Sequence, residues 1–126
     1  MPMINDSLTS DPAIELLTRF LDLSVRRSEL VMSNMANIDT PGYRTQDINF
    51  RQELERATGG DMEYATLAPT VRSVQGLMAR PDGNNVSLER ESLLLADTQL
   101  RFNAGVQLLR DKFKTLLSAI HEGSSS

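Results

Sequence analysis

In residues 88–120, Leu88, Ser92, Leu95, Gln99, Phe102, Val106, Leu109, Phe113, Leu116 and Ile120 alternate steps of four and three. This is the 3.5-residue repeat of a coiled-coil stripe. A helix carrying the whole seam is roughly 33 residues and about 50 Å long. A compact globule of 126 residues has a radius of gyration of about 14 Å and a diameter of about 35 Å. The helix outruns the globule, so the chain is expected to be elongated.

A second long helix is predicted over 11–37. Ser10 and Asp11 offer a capping side chain ahead of Pro12, and proline is favoured in the first turn, where its missing amide costs nothing. Ile14, Leu17, Leu21, Ser24, Ser28, Val31 and Met35 follow at helical spacing. Beside them runs a stripe of Leu16, Phe20, Leu23, Arg27, Leu30 and Asn34, which widens the sticky face. Pro41 and Gly42 enforce the stop. The C-terminal helix, 87–121, is expected to start at Ser87 with Glu89 and Glu91 near its positive end, to be weakest at Gly105, and to end at Gly123. Between the helices, 38–86 reads as a hinge and loop region with β-leaning pieces at Ile48–Phe50 and Thr70–Val74. Breaks are expected at Thr58–Asp61 and Ala79–Asn85. The expected fold is mainly α: an elongated antiparallel pair of long N- and C-terminal helices with a central loop holding at most a small β-hairpin. Residues 1–10 and 122–126 are expected to be flexible ends of one subunit.

Two helices packed as a hairpin bury one stripe each. Leu94, Leu100, Leu108 and Leu117 lie off the main seam, so apolar surface is left over. Burying about six such side chains against neighbours is worth on the order of 10 kcal/mol before ordering costs. The assembly seam is therefore expected to comprise Ile14, Leu17, Leu21 and Val31 with Leu95, Phe102, Val106, Leu109, Phe113, Leu116 and Ile120.

Composition removes most other functions. A net charge of −4 is a poor start for gripping phosphate backbones, which disfavours nucleic acid. Without cysteine, and with His121 the single histidine, thiolate chemistry, cysteine-bound metals and multi-histidine sites are excluded. No cofactor site is read. Glu53 with Glu55, and Glu89 with Glu91, point to different sides of a helix and read as solvated charge. Asp82, Gly83, Asn84 and Asn85 read as a turn before a helix rather than a calcium loop. No catalytic set emerges. No run is apolar enough to span a bilayer, and the first residues do not have the pattern of a cleaved signal peptide. Arginines 19, 26, 27, 101 and 110 can fix register between subunits or form exposed pairs such as Glu15 with Arg19.

The most specific stretch is SNMANIDTPGYRTQDINF, 33–50. Asn34 and Asn37, on one helix face, can bond the backbone as it turns back. Asp39 and Thr40 can bond turn amides, Pro41 fixes its φ, Gly42 accepts a positive φ, and Tyr43 has a ring to pack and a hydroxyl to anchor. Together they form a hinge motif.

This motif resembles that of the flagellar rod, hook and filament-junction family of bacterial axial proteins, N-x-A-N-x-x-T-P-G-Y, which Asn34, Ala36, Asn37, Thr40, Pro41, Gly42 and Tyr43 match position by position. The resemblance extends from the first helix through the C-terminal heptads and is densest at 34–50 and at DGNNVSLERE, 82–91. It implies a non-enzymatic subunit of the proximal basal-body rod in the periplasmic space, the shaft that transmits torque. The implied partners are other rod proteins, copies of itself, the adaptor joining rod to export gate and membrane ring, and the flagellar type III export apparatus, which passes such chains unfolded and without a cleaved signal. The rival readings are a needle-type or effector protein of a type III secretion system, against which the Asn34–Tyr43 hinge argues, and a small cytoplasmic helical regulator or chaperone.

Overall fold

In the computed structural model, which describes residues 11–59 and 68–125, Asp11 opens the first helix. Its carboxylate accepts from the amides of Ala13 (2.8 Å) and Ile14 (3.4 Å), donors that the helix cannot satisfy itself. Helix α1 spans Pro12–Ala36 and closes on Asn37. There follow strand β1 (Gln46–Ile48), helix α2 (Phe50–Thr58), strand β2 (Val71–Ser73) and helix α3 (Leu88–Ser125). The chain is thus mainly helical, with long N- and C-terminal helices and a small antiparallel sheet between them, in the register Gln46↔Ser73, Asp47↔Arg72, Ile48↔Val71. The expected flexible N-terminus, and Gly60 and Asp61 of the expected break, lie outside the described residues.

The central segment also contains a helix that the sequence reading leaves as loop. Helix α2 has 9 residues, too few for a 3.6-residue period to declare itself. Asn49 caps it by accepting from Gln52 N at 3.1 Å. Phe50 and Leu54, one turn apart, pack with Val71 onto the core of Leu23, Leu30 and Ile48. Phe50 meets Phe20 edge to face, with centroids 5.2 Å apart. The core thus gathers around the C-terminal half of α1 and the central segment, not along the heptad seam.

Helices α1 and α3 pack antiparallel, and three contacts fix their register. The Glu91 carboxylate meets the Asn34 amide at 3.1 Å, Gly105 faces Phe20 and Leu21, and Lys112 Nζ stands 3.6 Å from Asp11 Oδ2. Beyond Lys112, α3 continues to Ser125, about 20 Å further, past the N-terminal end of α1. Gly123 does not stop it. Glycine ends a helix by taking a positive φ, and Gly123 does not do so; an interior glycine costs only about 1 kcal/mol.

Gly105 is a requirement of this packing rather than only a weak point. A Cβ there would come within 3.0 Å of Leu21 Cδ2 and 3.1 Å of Phe20 Cδ1, so the helices touch where α3 has no side chain. Gly105→Val is expected to destabilise the protein by about 2 kcal/mol, because overpacking at such a contact outweighs the gain in helix propensity. Urea unfolding followed by circular dichroism checks this.

The Asp11 carboxyl is pushed upward by burial, but hydrogen bonds from the Ala13 and Ile14 amides and the Lys112 ammonium outweigh that and hold it below its usual 3.8. A carboxylate lowered by folding contributes its stability above the ordinary carboxylate range and loses it as pH falls through the lowered value. Fraying of the first turn of α1 is therefore expected only in acid, below about pH 4, whereas Asp11→Ala is expected to be frayed at every pH, with no pH dependence. Amide exchange at Ala13 and Ile14 against pH reads it.

The surplus of apolar surface is visible. Of the leucines expected off the seam, Leu100 is 71% exposed, Leu108 57% and Leu117 56%, whereas Leu94 is half-buried and its neighbour Leu93 is 66% exposed instead. Of the expected seam, Ile14 and Val31 are buried, Phe113 is exposed, and the rest are half-buried. The chain exposes 8400 Å², against about 6700 Å² for a compact protein of its mass.

Candidate functional site

The last turn of α1 places Asn34 against both the returning chain and the first turn of α3. Its Nδ2 donates to Gln46 O (2.8 Å) and Glu91 Oε2 (3.1 Å). Its Oδ1 accepts from Tyr43 Oη and Gln46 N, both at 3.0 Å. With two donors and two lone pairs, the amide is used to capacity, and the residue is 0% exposed.

Glu91, expected as solvated charge, is also 0% exposed. Its other oxygen accepts from Arg90 Nη1 at 2.6 Å. Arg90 Nη2 reaches Asp47 Oδ2 at 2.9 Å, and Arg27 grips the same carboxylate through Nε (3.2 Å) and Nη2 (3.1 Å). Two guanidiniums and two carboxylates thus neutralise one another where α1, β1 and α3 meet. Breaking such a shielded pair costs more than an exposed one, because it strands the remaining charge. Glu53 is likewise buried and not solvated: it accepts from Thr70 N at 3.2 Å, with Arg19 at 3.8 Å and Arg56 at 3.5 Å. Both corrections have one cause, since helical spacing tells which side a carboxylate faces but not what covers that side. Arg26–Glu29 and Arg101–Asp97 are exposed pairs within the chain, worth little.

Residues 37–43 form the turn itself. Pro41 precedes Gly42 at φ 75°, and Tyr43 N closes onto Thr40 O at 3.2 Å, the geometry of a type II turn. Thr40 Oγ1 donates to Asn37 Oδ1 at 3.0 Å. Asn37 Nδ2 bonds Ser33 O of its own helix at 2.8 Å, rather than the returning chain. Asp39 is exposed and bonds no turn amide among the described residues.

The bonds expected of Asn37 and Asp39 come instead from residues 80–85. Asn84, 0% exposed, donates to the carbonyls of Asn37 (2.9 Å) and Thr40 (2.8 Å) and accepts from Val86 N (2.8 Å). Gly42 N donates to Asp82 O at 2.9 Å, and Asn85 N to Tyr43 O at 3.2 Å. Asn85 Oδ1 accepts from Thr45 N at 2.7 Å. The Arg80 guanidinium donates to the carbonyls of Ile38 and Val86. Gly83 at φ 86° packs on Gly42, where a Cβ would stand 3.4 Å from the Gly42 Cα. The turn after α1 is therefore clamped by the turn before α3.

Sequence reasoning missed Arg80, Asn84, Asn85 and Glu91 as members of this site. The available signal was the pair of adjacent asparagines after Asp-Gly, a pattern that a solvent-facing turn explains equally well. Ser87 caps α3 through Arg90 N at 3.2 Å, where the sequence places it.

The arrangement is architectural. Among the described residues no group of His, Asp and Glu is placed to hold a metal ion, and no helix is long and apolar enough to cross a membrane. The buried polar groups around Asn34 and Asn84 are spent on one another, fixing the angle at which the chain leaves α1 and enters α3.

No protein-family model matches the chain. The chain is 33% identical over 112 residues to the flagellar basal body rod protein FlgB of Cereibacter sphaeroides (strain ATCC 17029), covering 79% of this chain and 87% of that one. It is 29% identical over 133 residues to FlgB of Salmonella typhimurium (strain LT2), and 28% identical over 133 residues to FlgB of Escherichia coli (strain K12). Both of those matches cover 90% of this chain and 96% of the relative. With a clamped turn closing α1, an uncovered apolar α3, and this likeness over nearly its whole length, the chain belongs to the FlgB family of flagellar basal body rod proteins.

Proposed function

We propose that the protein is a structural, non-enzymatic subunit of the proximal rod, polymerising with other rod proteins and with copies of itself. Assembly completes its folding, and the resulting shaft transmits torque across the periplasm. The observation that carries this reading is the uneven distribution of order. Buried polar groups are satisfied around Asn34 and Asn84, while leucines along α3 stay open to water. The clamp sets the direction in which the helices leave the central segment, and packing against neighbours then covers the leucines, with a gain that grows with buried apolar area. Route and anchoring follow the same reading: export through the flagellar type III apparatus without a cleaved signal, and contact with the adaptor that joins rod to export gate and membrane ring.

The experiment has two parts. Expressed in a strain lacking its own copy, the chain should restore swimming and co-purify with detergent-extracted basal bodies. Isolated and dilute, it should show helix by circular dichroism in less than about half its residues, as expected of coupled folding. Amide exchange should be slowest at 34–46 and 84–91 and fastest beyond Lys112. Absence from the basal bodies of swimming cells, or a fully helical monomer that unfolds cooperatively, contradicts the proposal.

A further inference from the structure

Between α1, α2, β2 and α3 lies an open cleft of about 660 Å³ whose rim carries Arg51, Arg72 and Arg101. Arg27 and Arg90 also line it, but Asp47 and Glu91 neutralise them. The rim cations differ. Arg51 and Arg101 make only exposed pairs with Glu55 and Asp97, and Arg72 on β2 is exposed and makes no ion pair among the described residues. A shallower groove shares Arg90 and Asp97 with the cleft and continues it along α3 past Leu93 and Leu94. The surface is thus cationic beside an apolar edge, with Leu93 and Leu100 66% and 71% exposed.

The complement stands on the other side of the same molecule. Phe20, Ser24 and Arg27 of α1 line the cleft. At about 100° per residue, Asp22 points roughly 200° away from Phe20, Glu15 and Glu29 fall in the same column, and Val25 and Met32 lie beside it. Glu15, Asp22 and Glu29 are exposed, Glu29 in an exposed pair with Arg26, and Val25 and Met32 are 46% and 54% exposed. Val25 and Met32 are one heptad apart, as are Leu93 and Leu100, so both apolar rows repeat at about 10.5 Å. One face therefore carries acid beside apolar side chains, and the opposite face carries arginine beside apolar side chains at the same repeat.

We propose that the outer face of α1 in one copy docks into the arginine-rimmed cleft of the next, with Asp22 and Glu29 meeting Arg72 and its rim neighbours and Val25 and Met32 covering Leu93 and Leu100. The two patches differ and lie on opposite sides, so the contact is heterologous. Contacts of this kind propagate around a ring or along an open helical array instead of closing a dimer. The inference rests on the rod reading and names which faces of two copies meet.

The chain has no cysteine, so Asp22→Cys and Arg72→Cys supply the only thiols. Carried in one chain in cells without the native copy, the pair is expected to give, on oxidation of isolated basal bodies, a ladder of disulfide-linked dimers and higher species; each single substitution gives none. If the doubly substituted chain supports swimming and remains monomeric after oxidation, or links only within itself, the docking is wrong and the rod reading survives. If it does not support swimming, charge reversal decides. Asp22→Arg and Arg72→Asp should each lower the swimming fraction at least tenfold, and the two together should recover most of it. A combination no better than either single change overturns the proposal, while the presence or absence of the unaltered chain in basal bodies separately tests the rod reading.

Discussion

Asn34→Ala is expected to lower stability by about 3–5 kcal/mol. The substitution removes two donors and two acceptors at a residue that is 0% exposed. It strands Gln46 N and O, the Tyr43 hydroxyl and one oxygen of Glu91. Each buried group left without a partner costs about 1–3 kcal/mol. The losses are not additive, because Tyr43 can turn toward water and Glu91 keeps Arg90. The carboxylate makes the loss large, since a buried charge deprived of a donor is dearer to keep than a neutral group. Asn34→Asp is expected to be at least as harmful at neutral pH, because it sets a second carboxylate against Glu91. Urea unfolding by circular dichroism gives the magnitude. Amide exchange at Gln46, expected to accelerate at least a hundredfold, gives the location. A stability change under 1 kcal/mol with Gln46 still protected contradicts the central role of this amide.

The second large effect is expected from Leu109→Asp combined with Phe113→Asp, and it should separate assembly from folding. Both side chains sit on α3 near Lys112, where the described part of α1 ends; Leu109 is half-buried and Phe113 is 36% exposed. Neither touches the Asn34–Asn84 clamp, at the other end of the helix pair. In the chain alone, a carboxylate at Phe113 remains hydrated, and one at the half-buried Leu109 loses only part of its water. Buried against a neighbouring subunit, each would lose its water without a partner, a penalty of several kcal/mol. Swimming and recovery in basal bodies are expected to vanish while slow exchange persists at 34–46 and 84–91. Normal swimming would remove the seam from the assembly argument. Loss of the slow amides as well would show that the changes had unfolded the chain instead.

The two predictions concern opposite ends of the molecule and opposite kinds of legibility. The heptads of α3 and the stripes of α1 were readable because a helix face is a matter of spacing. The starts at Asp11 and Ser87 were readable because a cap bonds amides two or three residues away. Helix α2 was not, because 9 residues give no period, and what holds it is Phe50 and Leu54 against a core built from α1 and β1. The end of α3 was misplaced because Gly123 permits a stop without compelling one.

The sequence by itself determined the elements whose physics is local: two helices too long for a globule, the Pro41–Gly42 turn, and more leucine than one pair of helices can cover. Only the tertiary structure decided that Asn84 holds the carbonyls of Asn37 and Thr40, 47 and 44 residues away. It alone decided that Glu91 is buried against Asn34, 57 residues away, and that Gly105 is where the two helices touch. Those facts depend on which distant groups the fold brings within about 3 Å, and no spacing along a chain encodes that distance. An asparagine in a turn has the same neighbours in sequence whether it faces water or the carbonyl of a remote helix.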